Sequence, residues 1–129
     1  KLIVDFKTKK VQVISGIAKW YEPSALIGTK RMFLTNLKPT KFVGLTSDAM
    51  IIAGEDEALD KLALVDVEGE PGEQVYVGEI EPNPQQIKLK KFQEFSLITK
   101  GGTIYIEDMV LSTKKGPVKI DLKDGVKLS

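Results

Sequence analysis

The sequence predicts an all-β protein, a small β-barrel or sandwich with a smaller β appendage packed on it. Five or six short runs rich in β-branched and aromatic residues occupy positions 1–80, with Gly/Pro turn signals every eight to twelve residues. Only one short helical segment interrupts them. After residue 80 the texture changes to the polar, proline-bearing EPNPQQ, and then to a second set of short runs parted by GG, KKGP and KDG. A length of 129 residues suits one domain, or one domain with an appendage, and 42% apolar residues suffice for one packed core.

The elements follow in order. KLIVDF and VQVIS flank the polar KTKK and read as a hairpin. Pro23 opens PSALIG and Gly28 closes it, the signature of one helical turn. Lys30 to Leu37 is a third strand. Lys38 to Ser47, with Pro39 and Gly44, reads as an irregular exposed loop. Ala49 to Ala53 is fully apolar and is expected to be a buried strand, followed by the acidic turn GEDEALDK. Leu62 to Val67 is another strand, EGEPGE a tight turn, and Gln74 to Val77 closes the set. These make a unit over residues 1–80. In the appendage, residues 81–129, Ile87, Lys91 and Phe95 share a helical face with Phe92 beside them, although IKLK also alternates like a strand. SLITK, TIYIE, MVLST and VKID are short strands. With few large apolar residues, this unit is expected to pack on the first and bury a joint seam.

Composition excludes several functions. The chain has no cysteine and no histidine, so it holds no disulfide framework, no Ser-His-Asp or Cys-His arrangement, and no plausible zinc site. No phosphate loop or G-x-G-x-x-G is present, and no cofactor is expected. No apolar run approaches the ~20 residues of a membrane span, and no signal peptide is visible. The acids cluster in turns of residues 51–83, where solvation is the default, rather than as a spaced catalytic pair.

The net charge of +1 conceals an uneven distribution. Residues 1–50 carry nine Lys/Arg against three Asp/Glu, residues 51–83 one against ten, and residues 84–129 nine against five. A positive block attracts polyanions locally even when the total is near neutral. The densest candidates lie between Ser15 and Met50. Lys19, with Trp20 and Tyr21, precedes the helical turn; Lys30 and Arg31 start the next strand; Asn36, Lys38 and Lys41 frame the exposed loop. Cations supply phosphate attraction, and Asn reads an edge or holds its own loop. Against this stand simpler roles: charges as solvated faces, Trp20 and Tyr21 as caps on the core, Met50 as a core methionine.

The string VISGIAKWYEPSALIGTKRMFLTNLKPTKFVGLTSDAMIIAGED carries a resemblance. Its Ser15-Gly16-Ile17, Tyr21, Pro23, Leu26-Ile27-Gly28, Asn36-Leu37-Lys38-Pro39 with Lys41, Gly44, Ser47 and Met50 resemble the tRNA-binding domain family. That family occurs as free tRNA-binding proteins, as appendages of methionyl- and tyrosyl-tRNA synthetases, and in endothelial-monocyte-activating polypeptide II. The resemblance implies an oligonucleotide-binding (OB) barrel. Lys61 to Leu64 and Pro71-Gly72 continue it weakly, and LSTKKGPVKIDLKDGVKLS resembles the closing strands of the polypeptide-II-like subgroup. In that subgroup the extension packs on the barrel as a pseudo-dimer interface, which implies a monomer.

Departures accompany the match. The family's first strand, D-[IL]-R-[VI]-G, and its H-P-x-A-D-K-L turn are missing before Lys1-Leu2, so the barrel is expected to have an open edge and the sequence to be a fragment. The first hairpin is short. Ala49 stands where the family has Gly, and Asp48 adds a negative charge within the motif.

The resemblance implies a non-catalytic, cytoplasmic module that binds tRNA by backbone and shape, fused to a synthetase or an associated factor. Lys38 and Lys41 are expected at phosphates, assisted by Lys19, Lys30 and Arg31; Asn36 and Ser47 at sugar or phosphate, or bracing the loop; Met50 at a family position inseparable from packing. Alternatives are a protein-interaction or dimerisation module among synthetase-complex proteins, a released cytokine-like fragment, and an export chaperone.

Overall fold

The computed structural model describes residues 2–7, 9–17, 19–36, 38–42, 44–78, 80, 85–86, 89–92 and 94–129. The first hairpin forms as the alternation predicts: β1 (Leu2–Asp5) pairs antiparallel with β2 (Lys10–Val13), with Leu2 opposite Val13 and Asp5 opposite Lys10. The Asp5 carboxylate accepts the Lys7 N–H at 2.7 Å and shapes the tip, where Lys7 has a positive φ of 75°. Pro23 and Gly28 bound the helical turn α1 (Pro23–Leu26), and Gly28 takes φ 78° after it.

The third strand is shorter than expected. β3 (Phe33–Leu34) pairs with β6 (Met50–Ile51), while Arg31 leaves to form a bridge with Asp66. The segment read as an irregular loop is a hairpin, β4 (Thr40–Phe42) with β5 (Leu45–Ser47). Gly44 at φ 78° lies in its turn, and Pro39 stands just before β4, where a missing N–H costs no ladder bond. The apolar run Ala49–Ala53 is split between β6 and β7 (Ala53–Asp56), and β7 pairs with β8 (Lys61–Leu64) across a 3-10 turn at Glu57–Leu59. Asp56 departs from the solvated-turn reading. It is buried, with Lys123 Nζ 3.5 Å from its Oδ1.

The remaining strands form one sheet. β10 (Leu97–Lys100), β11 (Thr103–Ile106), β12 (Met109–Thr113) and β13 (Gly116–Pro117) follow in antiparallel order after α2 (Leu89–Phe92). β9 (Tyr76–Val77) pairs with β12 of this sheet. The expected strand VKID contributes a bridge at Lys119 to Asp66. The linker residues 81–84, and Ile87 of the proposed helical face, lie outside the described residues. The protein is thus all-β and antiparallel, with two single-turn α-helices among the described residues. Among the described residues no helix is long and apolar enough to cross a membrane.

The two sets of strands share their interior. The larger core joins Ile52, Ala63 and Val65 to Phe92, Leu97, Ile104, Leu111, Val118, Ile120, Leu122, Val126 and Leu128. A smaller one holds Ile17, Ile51 and Leu64, with Tyr21, Leu26 and Phe33 against it. The seam is fastened where Ser129 and Ala53 exchange both backbone hydrogen bonds at 3.0 Å, and Leu128 N–H donates to the Leu97 carbonyl at 2.8 Å. Gly54 makes the approach possible: a Cβ there would lie 2.3 Å from Leu128 Cδ2 and 2.5 Å from Leu122 Cδ1. On the other side, β1 pairs with β2 alone among the described residues. A groove of about 870 Å³ runs beside it, lined by Leu2, Val4, Phe33 and Leu34 and floored by Ile52 and Phe92. Leu2 and Val4 are half-buried, on the strand face opposite the exposed Ile3 and Asp5.

Two outcomes follow from the shared core. A chain ending at Gln86 exposes the three barrel-side core residues and is expected to dimerise or aggregate, as sedimentation will show, because nine of the twelve described core side chains are gone. Gly54→Val is expected to cost about 1–3 kcal/mol by overpacking the seam, read as a lower urea midpoint with an unchanged slope.

Candidate nucleic-acid interface

The eight residues singled out in the sequence fall into three groups. Ser47 and Met50 are inside. Ser47 is 1% exposed, and its hydroxyl accepts the Ile14 N–H at 3.0 Å and donates to the Ala49 carbonyl at 2.7 Å. It therefore ties β5 and the following turn to the end of β2. Met50 is half-buried against the larger core.

Lys19, Lys30 and Arg31 are exposed or partly so, but each is held by the acidic segment. Lys19 Nζ donates to Asp60 Oδ1 at 2.8 Å and sits 5.1 Å from the Trp20 ring centroid. The hydrogen bond and charge of Asp60 raise the Lys19 pKa above the ordinary lysine value. The Trp20 indole N–H donates to the Asp60 carbonyl at 3.2 Å, and Tyr21 packs on Ile17 and its neighbours. The two aromatics are thereby engaged by the fold. Arg31 Nη1 lies 2.6 Å from Asp66 Oδ1, with its side chain only 17% exposed. Lys30 Nζ donates to the Gly69 carbonyl. The positive block of residues 1–50 is thus partly neutralised by residues 60–69, a pairing over 35 to 41 positions that segment charges do not reveal.

Asn36, Lys38 and Lys41 remain around β4. Asn36 Nδ2 donates to the Gln85 carbonyl at 2.9 Å, bracing the approach to the hairpin, and Lys38 is exposed next to it. Lys41, opposite Thr46, is exposed and forms no ion pair among the described residues. The β4–β5 hairpin is docked on β2: Asp48 N–H donates to the Gln12 carbonyl at 2.9 Å, and Gln12 Nε2 to the Thr46 carbonyl at 2.9 Å. Sequence reasoning missed Gln12 and the neighbouring lysines of the first hairpin. Lys7, Lys9 and Lys10 are exposed and form no ion pair among the described residues. Among the described residues no group of three carboxylates is placed to hold a metal ion.

A family model described as "Putative tRNA binding domain" matches residues 1–74. The chain belongs to the tRNA-binding domain family. It is 48% identical over 66 residues to methionine–tRNA ligase 1 of Bacillus cereus, an alignment covering 51% of this chain and 10% of the ligase. It is 43% identical over 75 residues to the methionine–tRNA ligase of Archaeoglobus fulgidus, covering 58% of this chain and 11% of that one. The matched region is about a tenth of these ligases. The fold is also that of the C-terminal domain of Plasmodium vivax p43, with a TM-score of 0.81 over 95% of this chain and 79% of that one, at 20% identity. The tRNA-binding family match ends inside the turn before β9, so the strands after it lie outside the matched span.

Ser47→Ala separates bracing from contact. Removing a hydroxyl with two buried partners is expected to cost about 1–3 kcal/mol of stability. Affinity for RNA, measured well below the melting temperature, is expected to stay within twofold of the parent.

Proposed function

We propose that this chain is a non-catalytic tRNA-binding module of a cytoplasmic aminoacyl-tRNA synthetase or an associated factor. Family membership carries the reading. The relatives named above are methionine–tRNA ligases, and the matched region is a small part of each. Residues 1–80 would form the binding unit and residues 81–129 the unit that covers its apolar face, leaving a monomer.

Lys38 and Lys41 meet phosphates on the exposed β4–β5 hairpin. Asn36 and Ser47 brace that hairpin, and Met50 packs behind it. Lys19, Lys30 and Arg31 contribute long-range attraction reduced by Asp60, Asp66 and the Gly69 carbonyl. Such contacts address backbone and shape rather than base identity, as expected for structured RNA, whose deep groove side chains do not read. The gain is in effective concentration: a weak general grip tethered to a catalytic domain keeps tRNA near it.

Filter binding with several unrelated tRNAs tests this. Affinities within about tenfold of one another are expected, with log K falling against log salt at a slope of about −3 to −4 for three to five phosphate contacts. Changing Lys38 and Lys41 together to Ala flattens the slope by about one to two units. A hundredfold preference for one tRNA contradicts backbone reading.

A further inference from the structure

Among the described lysines that form no ion pair, Lys7, Lys9, Lys10 and Lys41 lie on two adjacent hairpins, while others such as Lys114 and Lys115 lie on the second sheet. Alternation along β2 puts Lys10 and Gln12 on the outer face, opposite the buried Val13. Ser47 points inward on β5, so Thr46 and its partner Lys41 point outward. The docking of β5 on β2 makes these faces continuous. β5 lies against β2, and Lys41 stands one strand further, opposite Thr46. Lys7 and Lys9 extend the group at the tip of the first hairpin, which Asp5 holds in shape through the Lys7 N–H. Asp48 is exposed on the turn after β5, and its own N–H is bound to Gln12 of this face.

We propose that Lys7, Lys9 and Lys10 form a second phosphodiester-binding site. The site continues the one at Lys38 and Lys41 across the outer face of the two hairpins, and Asp48 is a fixed carboxylate that weakens it. This rests on the tRNA reading and deepens it. The ligand is the sugar-phosphate backbone of folded RNA. Cations on two adjacent hairpins meet successive stretches of it, and each neutralised phosphate adds to the salt dependence. The Asp48 carboxylate repels the same phosphates, as does exposed Asp5 opposite Lys10 on the first hairpin, so the site is tuned below its full strength.

The test compares four proteins in tRNA binding from 50 to 300 mM salt, with melting curves confirming the fold. Combined Lys7→Gln, Lys9→Gln and Lys10→Gln is expected to lower affinity at least tenfold at low salt and to flatten the salt slope by about two units. Asp48→Asn on the intact fold is expected to tighten binding two- to fivefold. Lys114→Gln with Lys115→Gln, on the β12–β13 turn, is expected to change neither quantity by much. If the parent binds tRNA but the triple variant keeps its affinity and slope, the second site is overturned. A parent-like affinity in Asp48→Asn overturns the role of Asp48. A loss confined to the Lys114/Lys115 variant moves the surface to the second sheet. A parent that binds no tRNA overturns the tRNA reading itself, and with it this site.

Discussion

The larger core is shared between the two sets of strands, and this apolar seam is the constraint on which the rest depends. Ile52, Ala63 and Val65 share one cluster of buried side chains with nine that follow residue 90. The seam is drawn tight by backbone bonds between Ser129 and Ala53 and by the absence of a side chain at Gly54, into whose place Leu128 and Leu122 pack. Interiors at native density transmit such contacts rigidly. β7 and β8 are therefore fixed from behind. The acidic turn they carry, with Asp60 at its end, is held where Lys19 and Trp20 reach it. Ile52, directly after β6, belongs to this core, and β6 in turn pairs with β3. The exposed surface thus stands on a frame that the second sheet completes.

Charge is distributed by this frame rather than by segment. Residues 51–83 are strongly acidic, yet three of their described carboxylates pair with cations from elsewhere in the chain. Asp60 and Asp66 take up cations from before the segment, and Asp56 takes up Lys123 from after it. The exposed Lys19–Asp60 pair adds little stability, but all three pairs cancel charge locally. Lys7, Lys9, Lys10 and Lys41 on the two hairpins form no ion pair among the described residues, although the turn at Gly72 packs against the Phe6 backbone beside the first tip. Pairing within the fold, more than the total of +1, decides where a polyanion is drawn.

Much of the fold was legible because it is written locally. Alternation in KLIVDF and VQVIS, Pro23 and Gly28 around one helical turn, and GG and KKGP between the late strands each announce their element within a few residues. The segment around Pro39 and Gly44 was misread because those residues also mark a tight hairpin, and only docking on Gln12 and Ile14 shows which applies. The motif residues at Ser47 and Met50 were visible as a pattern, but a pattern does not say whether a residue touches a ligand or holds the loop that does. Ser47 is buried, and its two hydrogen bonds tie the β4–β5 hairpin to the end of β2. The partners of Lys19 and Arg31 lie 41 and 35 residues away and no local window contains both. The lysines of the first hairpin were passed over because they read as an ordinary solvated tip.

The most direct test of where RNA meets this protein is amide hydrogen exchange on the intact chain with and without tRNA. The account predicts added protection over residues 5–12 and 38–48, and little change around Asp60, Asp66 and Gly69, whose partners are already engaged. Protection concentrated at Lys19, Arg31 and their acidic partners, with the two hairpins unchanged, would contradict it.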